Sequence, residues 1–155
     1  QAVFLYGFNM HADTVSVVQL GLAGDVTRNS GGAPTKSYHD QPVMFFSPES
    51  PFGRHQLAQM DLMLKLYPRI EGVALDNWAY GGVDYAHDDG ITMIGHRPAA
   101  SINFSQQRMI GAIARKWHGA GRLVMVNKAR TIESLKGADS MLSEAEARRL
   151  SPCSP

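Results

Sequence analysis

The chain has 155 residues, of which 44% are hydrophobic and 19% charged, and its formal net charge is +1. That composition suits one globular domain with a core and does not suit a disordered chain. The near-zero charge gives no field toward nucleic acid or an anionic membrane, and no apolar run reaches the ~20 residues that span a bilayer. The single cysteine, Cys153, excludes an internal disulfide and a cysteine-based metal site.

Val3 to Phe8 (VFLYGF) reads as a buried strand. The run starts directly behind Gln1, without the basic segment of a signal peptide. Residues 21–41, with RNSGGAPTKS at their centre, are rich in turn formers and read as a long flexible loop or partly disordered insertion. Pro42 to Ser47 (PVMFFS) is a second short apolar strand. Ser50 and Pro51 form a helix start, and Leu57, Met60, Leu64 and Tyr67 repeat on one face until Pro68 stops the helix. Gly72 to Leu75 is a third strand.

Phe104 and Met109 are spaced as a hydrophobic staple around an N-cap at Ser105. The stripe Met109, Ile110, Ile113, Ala114 and Trp117 follows, with Gly119 as the C-terminal glycine. Arg122 to Val126 is a fourth strand. Thr131 can cap a short helix ended by Gly137, and Ser140 to Leu142 is a fifth strand. Ser143 and Glu146 match a capping box for a last helix, and residues 150–155 (LSPCSP) read as a disordered tail. Apolar strands alternating with amphipathic helices predict an α/β domain with parallel strands and helices packed outside.

The strand ends carry the chemistry. Leu75 is followed by Asp76-Asn77, Val126 by Asn127-Lys128, and Leu142 by Ser143-Glu144. In a parallel sheet or barrel these ends share one face, so the polar residues are expected to converge there. The stretch DNWAYGGVDYAHDDG adds Trp78, Tyr80 and Tyr85 among Asp84, Asp88 and Asp89. Aromatic faces suit the C–H faces of a pyranose, and acids and amides suit its hydroxyls. Paired carboxylates are what glycoside hydrolysis uses.

The segments LDNWAYGGVDYAHDDG and RLVMVNKARTIESLKGADSMLSE, with the strand-to-acid rhythm of about residues 42–146, resemble the catalytic half of a (β/α)8-barrel glycoside hydrolase of the "hypothetical glycosidase" kind. The resemblance implies a TIM-type barrel with Asp76 as nucleophile and Glu144 as acid/base. Asn77, Trp78, Tyr80, Asp84, Tyr85, Asp88, Asn127 and Lys128 would then contact the substrate. Five strands are visible against the eight of a barrel. The chain is therefore expected to be an incomplete barrel domain, a piece of a larger one or a sheet completed by another copy.

Plainer roles stand beside these. Asp76-Asn77 can start a turn, Glu144 suits the first turn of a helix, and Lys128 with Arg130 can be a solvated pair. His87-Asp88-Asp89 can be an acidic loop or a calcium loop, but it lacks EF-hand spacing. No zinc-hydrolase, nucleotide or serine-hydrolase motif occurs, so neither cofactor nor metal is expected. The competing functions are a non-catalytic carbohydrate-binding protein and a metal-assisted barrel hydrolase that uses Asp76 with His87 or His11.

Overall fold

The computed structural model describes residues 3–7, 9–37, 39–78, 81–129, 132 and 135–142. Along the chain run β1 (Phe4–Gly7), α1 (Thr14–Gln19), a 3₁₀ turn (Ala23–Asp25), α2 (Pro51–Leu66) and β2 (Gly72–Leu75). Four two-residue strands follow: β3 (Val83–Asp84), β4 (Met93–Ile94), β5 (Arg97–Pro98) and β6 (Ala100–Ser101). The chain continues through α3 (Ile102–Gly119), β7 (Leu123–Asn127) and β8 (Ser140–Leu142). The result is mixed α/β, with one four-stranded parallel sheet in the order β1-β2-β7-β8 and two small antiparallel ribbons, β3-β6 and β4-β5.

Period-two alternation divides the sheet into two faces. Leu5, Val73 and Val124 share one row, and Leu75 and Val126 pair in another. These side chains join one core with Met60 of α2 and Met109, Ile110, Ile113 and Trp117 of α3. The helical stripe predicted from Met109 to Trp117 is therefore the buried one. The opposite face carries Phe4, Tyr6, Leu123 and Met125. There Gly72 is required, because a Cβ would lie 2.3 Å from the Leu123 carbonyl oxygen and 2.7 Å from the Phe4 ring.

Helix α2 begins as its sequence dictates, with Ser50 accepting from the Gly53 N–H and Pro51 in the first position. Helix α3 starts earlier than expected. Its cap is Ser101, the last residue of β6, and Ser105 lies one turn inside, its hydroxyl bonded to the Ser101 carbonyl. Phe104 is exposed and makes no staple. The left-handed residue that ends α3 is Gly121 (φ +69) and not Gly119. Its N–H bonds the His118 carbonyl and the Arg122 N–H bonds that of Trp117, the paired bonds of a Schellman turn.

Residues 42–47 are not a strand of the sheet. Val43 and Met44 bridge antiparallel to His11 and Val26, and Phe45 N–H bonds the Asp25 carbonyl. Val43, Met44 and Phe46 are fully buried, so the segment is a core strut above the strand ends. A short apolar run has the same pattern in either place. Residues 21–41, read as a flexible insertion, contain the 3₁₀ turn and bury Asp25, Thr27 and Ser37. They are tied by Thr27 N–H to Val43 and by Val43 N–H to Thr35. The expected cap at Thr131, the capping box at Ser143 and the tail at 150–155 lie outside the described residues. Among the described residues, no helix is long and apolar enough to cross a membrane.

Candidate functional site at the strand-end rim

The sheet places Tyr6, Asp76 and Asn127 on the face away from the helices, at the carboxyl ends of three neighbouring strands. Asp76 follows β2 directly, and its N–H extends the ladder to the Gly7 carbonyl (3.0 Å). Asn127 is the last residue of β7. Tyr6 lies in the register row of Ala74 and Met125, one step down from Asp76.

Three side chains close around the half-buried Asp76 carboxylate, and a fourth holds one of them. The Tyr6 hydroxyl donates to Oδ1 (2.5 Å). Asn127 Nδ2 donates to the same oxygen and to the Tyr6 hydroxyl, both at 2.9 Å. Asn77 Nδ2 donates to Oδ2 (2.9 Å), and Lys128 Nζ reaches Asn77 Oδ1 (3.4 Å). The lysine therefore fixes which end of the Asn77 amide faces the carboxylate, since ammonium can only donate. Asn77 (φ 54) and Lys128 (φ 59) both adopt left-handed backbone just past their strands. Non-glycine residues adopt that region uncommonly, and such strain clusters at sites.

Asp76, Asn77, Asn127 and Lys128, expected from the sequence, are thus brought together. Tyr6 was not anticipated. Its signal was the one hydroxyl in an otherwise apolar strand, on the opposite side from Leu5.

The aromatic and acidic loop divides differently. Trp78 was expected to offer a stacking surface, but it is 1% exposed. Asn77 turns the chain, the Trp78 N–H bonds the Asn127 carbonyl (3.2 Å), and the indole packs on Phe46 at 5.5 Å. Asp84, also expected to contact substrate, is 0% exposed and accepts from the backbone of Arg28 and Ala86 and from the His87 ring. It is a strut between two loops. Asp89 accepts from the Ile91, Thr92 and Ser101 N–H groups and the Thr92 hydroxyl. Those donors outweigh its desolvation and hold its pKa at about 2.

Tyr85 and Asp88 are exposed, and Asp88 accepts from the Gly90 N–H. Tyr80 and Glu144 lie outside the described residues. His87, one of the residues considered for a metal, has both ring nitrogens engaged, with Asp84 and with the Gly24 carbonyl, and stacks on Phe45. Among the described residues, no group of three His, Cys, Asp or Glu side chains is arranged to hold a metal.

Fold and rim together define a parallel α/β unit with one carboxylate held by neutral donors at its strand ends. No family model, no curated protein and no solved structure matches the chain.

Proposed function

We propose that the chain is part of a (β/α)8-barrel glycoside hydrolase and that Asp76 is the carboxylate that meets the anomeric centre. The observation that carries this reading is the rim of Tyr6, Asn77 and Asn127 around Asp76 on the sheet face away from the helices. In a barrel that face is the interior, and sites form at its carboxyl end. The strand order also supports a barrel. Each strand pairs beside the one before it, without the reversal that marks a doubly wound sheet. Neutral donors align an attacking carboxylate without cancelling its charge, and the Tyr6 hydroxyl is placed to follow charge as it leaves Oδ1 during attack. Glu144 is the acid/base partner in this reading. A separation of about 5–5.5 Å from Asp76 gives retention and about 6.5–9.5 Å gives inversion. Lys128, exposed beside the rim, contacts substrate hydroxyls, while the buried Asn127 holds Asp76 in place.

The test is hydrolysis of a panel of aryl glycosides and soluble polysaccharides. Asp76→Asn should lower turnover by at least the ~10²-fold that loss of a positioned catalytic proton-transfer group costs, while the unfolding curve is kept. Azide added to Asp76→Ala should restore turnover as glycosyl azide if Asp76 is the nucleophile. Unchanged turnover in Asp76→Asn rejects the assignment, and a wild-type chain that cleaves nothing in the panel rejects the enzyme.

A further inference from the structure

Beside the rim, where the chain leaves β1, lies a cavity of about 450 Å³. Its walls come from the segment after β1, from α1 and from the first turns of α2. Its polar lining includes Asn9, His11, Gln41, His55 and Gln56, with Asp13 and the Ser16 that it caps, and Leu22 and Phe52 are among its apolar residues. The volume is within the ~300–1,000 Å³ of small-molecule sites. We propose that this cavity is a second binding site, for a neutral polyhydroxylated ligand such as one sugar unit.

The lining chemistry carries the choice of ligand. Amides and imidazoles both donate and accept, as a ring of hydroxyls requires. No Lys or Arg is among the lining residues, so a phosphate or carboxylate ligand would meet no countercharge. The one carboxylate, Asp13, is committed to capping α1 through the Ser16 N–H and hydroxyl. Gln41, His55 and Gln56 are half-buried, and their side chains hydrogen-bond to no other described residue. Asn9, also in the lining, accepts from the His11 N–H (3.3 Å) through its Oδ1. Burial, and then the His39 ring nearby, lower the pKa of His11 below its ordinary value, against the raising effect of the Asp76 charge.

The ligand class rests on the carbohydrate reading above, but the site does not depend on the chemistry of Asp76. The test is NMR of the histidine ring protons in the 155-residue chain. The probes are glucose, galactose, mannose and xylose, with inorganic phosphate and acetate as charged comparators. At least one sugar should shift the His11 and His55 signals saturably, and the shift should persist in Asp76→Asn. Gln41→Ala combined with Gln56→Ala should weaken binding about ten-fold, the equivalent of one to two hydrogen bonds. Gln56→Trp, which fills the space, should abolish it with the unfolding midpoint retained. Saturable shifts by phosphate or acetate alone, or none by any sugar, overturn the site. Hydrolysis lost in Asp76→Asn without sugar binding here overturns the cavity and leaves the enzyme reading standing. Sugar binding here without hydrolysis does the reverse.

Discussion

Trp78 packs its indole on Phe46 inside the core, so truncation leaves a large cavity. Trp78→Ala should cost about 3–5 kcal/mol, as large-to-small core changes do, read from urea unfolding. A loss below about 1 kcal/mol, well under the typical range for buried-aromatic truncation, would show the ring is not core. His87 gives a pH-dependent prediction. Its desolvation lowers its pKa, but the hydrogen bond and charge of Asp84, the Gly24 carbonyl and the charge of Asp25 together raise it above the ordinary value of 6.5. A raised folded pKa contributes stability fully below 6.5 and loses it as pH rises through the folded value. The stability difference between wild type and His87→Gln should therefore be largest near pH 5.5 and shrink toward pH 8.5. His11, with its lowered pKa, acts with the opposite sign and destabilises as pH falls below 6.5. Only the difference from the His87 variant isolates the Asp84 clasp. A difference that grows with pH would contradict the ion pair.

At the scale of elements, the first turn of α2 is pressed onto the segment before it. A Cβ at Gly53 would lie 1.8 Å from the Ser47 carbonyl oxygen, a backbone atom that no rotamer change can move. Gly53→Ala should destabilise by about 1–3 kcal/mol or more, the range for overpacking, although alanine is the better helix former. An unchanged or raised melting temperature would mean that α2 shifts freely. Periodicity made α2 and the stripe of α3 legible in the sequence, because each buries one regular face, while β2, β7 and β8 were legible as short apolar runs between turn formers. It misplaced both ends of α3: SINFS offers two serines four apart and only the β3-β6 ribbon selects Ser101, and two glycines, Gly119 and Gly121, stand two apart at the other end. The rim was legible through polar residues that interrupt apolar strands at their ends: Asp76, Asn77, Asn127 and Lys128. Asp84 was misread for the opposite reason, because an acid that cross-braces two loops has the same local sequence as one that faces solvent.

On the whole molecule, the sheet face away from the helices is apolar and open: Tyr6 is 57% exposed, Leu123 46% and Leu142 43%. Exposed apolar faces bordered by strand edges invite association. Light scattering should show mass rising with concentration, and Leu123→Lys should reduce it. A strict monomer at all concentrations would reject association through this face. The rim has one more consequence, in folding time. Asp76 and Asn127 are 51 residues apart in sequence, Tyr6 and Asp76 70, and Tyr6 and Asn127 121. Closing the longest of these loops costs about 0.8 kcal/mol more entropy than closing the shortest. Parallel pairing over such separations is intrinsically slow. Helical signal should thus return early in refolding. The Asp76 carboxylate should acquire its tyrosine and its amide only in the last kinetic phase, so that the near-ultraviolet tyrosine signal recovers after the far-ultraviolet circular dichroism.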